Sequence, residues 1–406
     1  MLKGKHIVVG ISGGIAAYKI PELIRILRKE GAEVKVTTTK NALEFVTELT
    51  LQTLSGNKVY SDVFAAINEH STEHISLPDW ADGMIVAPAT ADLIGKMAHG
   101  IADDALTTTF CAMCKPVVIA PAMNDKMYLN PATQEAMRKL SGQTNVTMLD
   151  CVAGELACGT TGKGRMQEVN VLAESIRYAL TNKNLENKNV LITSGPTQEA
   201  IDPVRYLSNH STGKQGNALA LSCWRRGANI TLIAGPVSAL PSVPLFYGCK
   251  EQLDIIPVTS AAQMAEQTLK QFEHADIAIL CAAVADFAPT ETAQEKIKKQ
   301  PGQTQMTLAL KTTTDIAATL GKTKRTGQKL IGFALETCNE QSHALHKMES
   351  KQLDMIVLNS LQDQGSGFGC NTNKVTLFFN NGTKKDVPLQ SKEDIADCIV
   401  DSINLL

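Results

Sequence analysis

HIVVGISGGIAAYK, residues 6–19, joins a short apolar run to a paired-glycine turn and an amphipathic stretch that continues to about Glu30. The unbroken apolar run His6 to Val9 suits a strand buried on both faces. Val34 to Val36 supplies the next such strand, so the opening reads as a βαβ unit. At the turn, backbone N–H groups and the helix dipole suit a phosphate. The spacing is not GxGxxG. Nor is there a Walker loop, because Gly162-Lys163 precedes Gly164 and Gly213-Lys214 precedes Gln215. Alone, the turn is as compatible with a structural role as with a ligand loop.

Outward from this unit the pattern repeats. Met84 to Ala87 and Pro116 to Ala120 read as strands, with helical patterns at Asp92 to Ala98, Asp104 to Met113 and Val169 to Leu180. TNKNLENKN, residues 181–189, is polar and lacks a hydrophobic period, as a linker does. Val190 to Ser194 then restarts the pattern, with a glycine-rich turn and a helix from about Thr212 to Arg225. Further strands fit Ile230 to Ile233, Ile277 to Cys281, Lys329 to Phe333 and Met355 to Leu358. Asn381-Gly382 marks a hairpin, and a last helix fits Lys392 to Ile403. Residues 290–304 are polar and read as a flexible flap. The expected fold is α/β, with two doubly wound, mainly parallel sheets: residues 1–182, a linker at 183–189, and residues 190–406.

Composition agrees with this. The 406 residues are 44% apolar and 20% charged, with a formal net charge of −2, so nothing suggests a nucleic-acid partner. No apolar run approaches a membrane span, and the chain enters a strand directly rather than a signal peptide, so a cytoplasmic protein is expected. Ten scattered cysteines fit a reducing compartment. Cys111 and Cys114 form a lone CxxC, which without a second ligand pair reads as helix packing.

LACGTTGKGRM, residues 156–166, has too much glycine and too little apolar content for a strand or a helix interior. It reads as a mobile lid, with Lys163 and Arg165 able to meet an anion and Cys158 carried along. Cys158 lacks core-forming neighbours, which argues against an inert buried thiol. Three loops fall at strand ends, where ligands bind open α/β sheets. They are Thr37-Thr38-Thr39, Pro88-Ala89-Thr90-Ala91-Asp92 and Pro121-Ala122-Met123-Asn124. His74, in TEHISLPDWAD, taken alone is a structural or solvated histidine.

SGGIAAYK, EHISL, PATADL, PAMNDKMYLNP and ACGTTGKGRM occur together in this order. In this combination residues 1–180 resemble the flavin-dependent phosphopantothenoylcysteine decarboxylases, a flavodoxin-like family. Asp92 stands where some relatives carry asparagine. The resemblance implies bound FMN, its phosphate on Ser12, Gly13 and Gly14, with Thr39, Thr90, Ala91, Asp92 and Ala122 along the ribityl chain and ring. It implies Cys158 as proton donor and His74 as base or electrostatic partner. Asn124 would hold the substrate carboxylate, Met127 would pack the pantetheine arm, and Lys163 and Arg165 would help close the lid.

In the second half, SGPTQEAIDPVRYLSNHSTGKQG and AAVADF with EKIKK resemble the phosphopantothenate–cysteine ligase half of the bacterial bifunctional coenzyme A enzymes. The match spans most of residues 188–400, a Rossmann-like domain. Thr212 replaces a usual serine, and Thr313-Thr314-Asp315 stands where many relatives have Asn-Pro-Asp. The resemblance implies CTP, 4'-phosphopantothenate and L-cysteine as substrates, with Mg²⁺. Lys296 matches the lysine of the activation step, and Asn209 the residue that polarises the acyl intermediate. Leu280, Cys281, Ala282, Asp286, Thr314, Asp315, Phe333, Lys347 and Lys351 match nucleotide contacts. Lys347 and Lys351 lie four apart on one helix face, so they repel unless solvent or a polyphosphate separates them. No metal ligand is assigned, and a homo-oligomer, up to a dodecamer, is implied. Two other readings are a nicotinamide-dependent oxidoreductase, disfavoured by the missing GxGxxG, and a flavin-binding regulator. His74, Asn124, Cys158 and the attached ligase motifs disfavour the second.

Overall fold

The computed structural model describes residues 2–63, 73–155, 159, 161–336, 339–360, 367, 369–403 and 405–406. They form two compact units. One comprises Met1–Asn182 with Ser242–Glu251, the other Lys183–Pro241 with Gln252–Leu406.

The strands of the first unit are β1 (His6–Ile11), β2 (Glu33–Thr38), β3 (Val59–Tyr60), β4 (Gly83–Ala89), β5 (Val117–Pro121) and β6 (Val146–Met148). They pair in parallel in the order β3-β2-β1-β4-β5-β6. Without the two-residue edge strand β3, this is the flavodoxin order. Ile7, Val9 and Ile11 of β1 pack on one face, against α1 (Ile20–Lys29) and α8 (Val169–Leu180). Val8 joins Met84 and Val86 on the other face, with α4 (Ala91–His99), α5 (Ala105–Ala112) and α7 (Pro131–Ser141). That alternation buries both faces of the sheet, which is why its strands read as continuous apolar runs. The shorter helices are α2 (Glu48–Ser55), α3 (Glu73–Trp80) and α6 (Asp125–Tyr128).

The expectation that residues 156–166 exclude a strand fails for their second part. Thr161–Arg165 is strand β8, paired antiparallel with β7 (Val152–Glu155). Its glycines mark close approach rather than mobility. A Cβ on Gly164 would lie 2.2 Å from the Met123 carbonyl oxygen, and one on Gly162 would lie 2.7 Å from Asp125 Cβ. Met123 N–H donates to the Gly164 carbonyl at 2.9 Å. The ribbon is therefore fastened to the loop that carries Asn124. Cys158 lies outside the described residues.

The second unit begins at the stretch expected to be a linker, and this stretch is docked rather than free. Leu185 is buried, its N–H bonds the Arg226 carbonyl, and Lys183 Nζ donates to the Arg225 carbonyl at 2.9 Å. One leucine supplies the anchor that polar composition concealed. Strands β9 (Asn189–Ser194), β12 (Asn229–Ala234), β13 (Leu253–Pro257), β14 (Ile277–Leu280), β17 (Lys329–Glu336) and β18 (Met355–Ser360) are parallel, in the order β13-β12-β9-β14-β17-β18. This is the dinucleotide-fold order. Antiparallel β19 (Thr372–Phe379) and β20 (Lys384–Ser391) extend it. Their turn holds Gly382 at φ +82°, as the Asn-Gly signal requires. Helices α10 (Ala261–Phe272), α11 (Ile316–Thr323) and α12 (Glu340–Ser350) share one core, while α9 (Lys214–Arg225) and α13 (Lys392–Ile403) pack together. Two small ribbons complete the unit: β10 (Gln198–Ala200) with β11 (Tyr206–Ser208), and β15 (Phe287–Pro289) with β16 (Leu310–Thr312).

Ser242–Glu251, expected within the second domain, packs with the first unit. Phe246 bridges Leu149, and Tyr247 N–H donates to the Met148 carbonyl at 3.0 Å. The segment covers the β6 edge, whose backbone groups otherwise lack partners.

Candidate functional site

The first cavity, about 1210 Å³, lies at the C-terminal ends of β1, β2, β4 and β5. Its lining includes Ser12, Gly13, Gly14, Thr39, Thr90, Asp92, Ala122, Asn124, Met127 and Arg165. Ser12 is buried. Its Oγ donates to the Pro88 carbonyl at 2.7 Å and accepts from Thr90 N–H at 3.1 Å, which ties the β1 loop to the β4 loop. Gly13 cannot carry a side chain, since a Cβ would meet Asn41 Cβ at 2.4 Å. Gly14 precedes a short helical turn, Ile15–Lys19. Thr90 caps α4, accepting from Leu93 N–H at 3.3 Å. Asn124 caps α6, its Oδ1 accepting from Lys126 N–H at 2.9 Å. Thr39 Oγ1 is buried with no hydrogen-bond partner. Such an orphan hydroxyl in a cavity wall calls for a ligand group.

Two ion clusters stand in or beside the cavity wall. Lys96 reaches Asp103 at 3.1 Å and Asp92 at 3.6 Å, and the Asp103 hydrogen bond holds its pKa above the ordinary value. Glu168 sits between Lys19 at 3.3 Å and Arg165. Burial works to raise the Glu168 carboxyl, and the two cations outweigh it and hold it low.

Lys163 is engaged elsewhere than in the cavity wall. Its Nζ lies 2.6 Å from Asp150 Oδ2, and Tyr128 Oη donates to Asp150 Oδ1 at 2.6 Å. Burial, then Asp150, pushes the Tyr128 pKa up to about 12. Ala91 starts α4 but does not line the cavity, and neither does His74, half-buried on α3. Lys19, Tyr18 and Asn41 also line it, without assignment from the sequence. Lys19 sat inside the quoted turn. Asn41 carried no local signal, because only Gly13 folding against it reveals it.

The second cavity, about 620 Å³, lies at the ends of β9, β14 and β17. Asn209, Leu280, Cys281, Ala282, Asp286, Thr314, Asp315, Phe333, Lys347 and Lys351 all line it. A Cβ on Gly216 would lie 2.3 Å from Ser194 Oγ, so α9 can approach β9 only through a glycine. Asp315 caps α11 and pairs with Lys351 at 2.7 Å. Burial raises the Asp315 carboxyl, and the lysines and the Ala318 N–H outweigh that. An aspartate therefore eases the repulsion expected between Lys347 and Lys351. Thr313 donates through Oγ1 to the Ala285 carbonyl at 2.6 Å, securing the strand end that leads to Asp286. Asn209 Nδ2 donates to the Ala283 and Val284 carbonyls at 3.0 and 3.2 Å. Burial pushes the Cys281 thiol up to about 12, which keeps it protonated.

Lys296 is exposed and does not line this cavity. Its segment, expected to be a free flap, is docked. Ile297 N–H donates to buried Asp202 at 3.1 Å, and Ala293 N–H to the Ile201 carbonyl at 3.0 Å. Cys111 and Cys114 are exposed free thiols rather than packed ones. Among the described residues, no group of three or more His, Cys, Asp or Glu could hold a metal ion, and no helix is long and apolar enough to cross a membrane.

The family described as Flavoprotein matches residues 1–181, and that described as DNA/pantothenate metabolism flavoprotein C-terminal domain matches 185–406. The coenzyme A biosynthesis bifunctional protein CoaBC of Bacillus subtilis (strain 168) is 46% identical, over 100% of this chain and 98% of its own length. Its counterpart in Escherichia coli (strain K12) is 40% identical, over 99% and 97%. A solved C-terminal domain of such a protein is 33% identical, covering 55% of this chain and 97% of its own, with a TM-score of 0.45. The oxidoreductase and regulator alternatives find no support in these relatives. With both domain families matched in series and full-length relatives well above 30% identity, the chain belongs to the family of bifunctional coenzyme A biosynthesis proteins.

Proposed function

We propose that the chain ligates 4'-phosphopantothenate to L-cysteine with CTP in its second cavity and decarboxylates the product, phosphopantothenoylcysteine, in its first. The observation that carries this is the gathering, at the strand ends of each sheet, of most of the motif residues that the resemblance assigned to it, with Ala91, His74, Lys163 and Lys296 outside the linings.

The first cavity suits FMN. Gly13 and Gly14 present bare backbone to the cavity beside Ser12, and the orphan Thr39 hydroxyl offers a partner farther along. When bound, FMN supplies reversible two-electron oxidation of the substrate thiol, giving the departing carboxylate an electron sink. The protein's part is placement. Asn124, held by its cap to α6, offers its amide to the substrate carboxylate, and Met127 packs the pantetheine arm. Cys158 donates the proton that completes the saturated thiol. His74 serves as base or electrostatic partner, which requires substrate or another part of the assembly to approach α3.

In the second cavity one anion must attack another, so positive charge is essential. Lys347 and Lys351 supply it beside the nucleotide, and Asp286 is the lining carboxylate offered to Mg²⁺, since Asp315 caps α11 and pairs with Lys351; the ion needs few protein ligands when phosphates provide the rest. Lys296 acts in activation by moving in with its segment. Asn209 has committed its N–H donors to Ala283 and Val284, so Oδ1 remains to accept from the attacking amine of cysteine. The working protein is a homo-oligomer of these chains in the cytoplasm.

The test is direct. Purified protein incubated with 4'-phosphopantothenate, cysteine, CTP and Mg²⁺ should yield phosphopantetheine and CMP by mass, and should carry a flavin spectrum. Cys158→Ser should retain the flavin and release carbon dioxide while accumulating the unsaturated enethiol. Lys296→Gln should abolish pyrophosphate release. A colourless protein that forms neither product sinks the proposal.

A further inference from the structure

We infer that Lys392 is a phosphoryl-binding residue of the second cavity, with Lys214 beside it. The inference rests on the ligase reading above and adds two residues that neither sequence motif assigned. Lys392 opens α13, lines the cavity and is only 7% exposed. Its Nζ donates to the Gly367 carbonyl at 3.2 Å. Lys214, the first residue of α9, also lines the cavity, and its Nζ donates to the Gly369 carbonyl at 3.2 Å and to Asn371 Oδ1 at 2.7 Å.

Neither lysine has a carboxylate partner among the described residues. The titratable and charged groups around Lys392 are Cys281, Cys370, Lys214 and Glu393. The thiol of Cys281 is held protonated, Lys214 repels, and burial is the main influence lowering the pKa of Lys392. The wall at Lys347 and Lys351 is different, because Asp315 balances it. The α9–α13 side of the cavity therefore carries two ammonium groups, the buried one of Lys392 and the exposed one of Lys214, and among the described residues neither is ion-paired; Glu393 acts on Lys392 only as a neighbouring charge. Carbonyl oxygens satisfy their hydrogen bonds but not their charge. Burying an unpaired ammonium is costly, and a methionine would fill the same space without that cost. A charge kept in such a place is explained by an anion that arrives from outside. Nearby, Gln215 Nε2 donates to the Lys392 carbonyl at 3.2 Å, while its Oε1 is buried without a partner, so the polar set on this wall is incomplete.

The matching ligand chemistry is a phosphoryl group. Two substrates of the proposed ligation carry one: the triphosphate of CTP and the phosphate of 4'-phosphopantothenate. Calorimetry of the full-length protein with inorganic pyrophosphate isolates this chemistry from base and acyl contacts. Lys392→Met should weaken pyrophosphate binding about 10- to 100-fold, the loss expected of one charge-assisted hydrogen bond. It should also flatten the salt dependence of that binding. In steady-state ligation, the KM should rise for CTP or for 4'-phosphopantothenate but not for cysteine, and the substrate affected identifies the source. Decarboxylation of supplied phosphopantothenoylcysteine should be unchanged, and the KM for cysteine, read in the same second unit, should stay at its wild-type value, which shows that the unit carrying the variant is folded. Wild-type affinity in Lys392→Met overturns the proposal. So does weakened affinity with an unaltered salt slope, which would make Lys392 a packing residue. Failure of the wild-type protein to bind either pyrophosphate or CTP is a separate result, and it removes the ligase reading itself.

Discussion

Asp150 accepts from two side chains that keep the β7–β8 ribbon beside the first cavity: Lys163 on β8 and Tyr128 at the end of α6. Tyr128 holds its proton more tightly in the folded chain, with a pKa raised from 10.0 to about 12 by burial and Asp150. The Lys163 pKa is raised as well, because Asp150 and Tyr128 outweigh its desolvation. For groups raised on folding, the stabilisation is complete below the unfolded pKa and fades as pH rises through the folded one. The Tyr128 contribution should therefore be lost between pH 10 and about 12. An alkaline unfolding profile should show Tyr128→Phe losing less stability than wild type over that interval. Equal slopes would contradict this account. Asp202 has the opposite sign. Burial works to raise it, while the N–H groups of Val204, Ile297 and Arg205 hold it low. Its stabilisation is present above its ordinary range and disappears as acid protonates it, which should free the Lys296 segment first.

At the scale of an element, β8 is the feature that composition misled. Two glycines in five residues lower strand preference. They are tolerated because the ribbon must lie within hydrogen-bonding reach of Met123, a distance that a side chain at 164 forbids. Gly164→Ala should therefore push the ribbon away from the loop holding Asn124, at a cost of about 1–3 kcal/mol from overpacking. The measurable result is weaker flavin retention on dialysis and a lower melting temperature. Full retention at wild-type stability would show that the ribbon can shift freely. The helix caps, by contrast, are local. Thr90, Asp104 and Ser260 each accept from a backbone N–H three residues on, a local geometry that a short polar residue before an apolar run announces.

At the scale of the molecule, the chain does not divide where its composition changes. Ser242–Glu251 leaves the second half and covers an edge of the first sheet. Gln167 is the clasp: Nε2 donates to the Leu245 carbonyl at 2.7 Å and to the Asp150 carbonyl at 2.8 Å, and Oε1 accepts from Leu245 N–H at 3.1 Å. Phe246 packs on Tyr178 in a tilted arrangement, with ring centroids 4.9 Å apart and planes at 44°. Gln167→Leu should strand these backbone groups and cost about 1–3 kcal/mol. A fragment ending at residue 182 should show a similar loss relative to the full chain, since it lacks the segment altogether. Thermal melts of the flavin fluorescence would report both. A fragment as stable as the full chain would mean the covering segment contributes nothing.

The alternation of apolar runs, glycine turns and amphipathic stretches determined by itself that this protein is two α/β units, because strand and helix periods are local properties of neighbouring residues. It also determined which loops line the two cavities, since ligands meet open sheets at strand ends. Only the tertiary structure decided what each side chain there has left to offer. Lys163 is committed to Asp150, His74 stands outside the first cavity, Asn209 has spent its donors, and Lys392 is buried in the second cavity wall with a carbonyl as its hydrogen-bond partner. Those outcomes depend on partners brought in from other elements, from 13 to 75 residues away in the chain, and no local pattern records where a folded backbone will bring them.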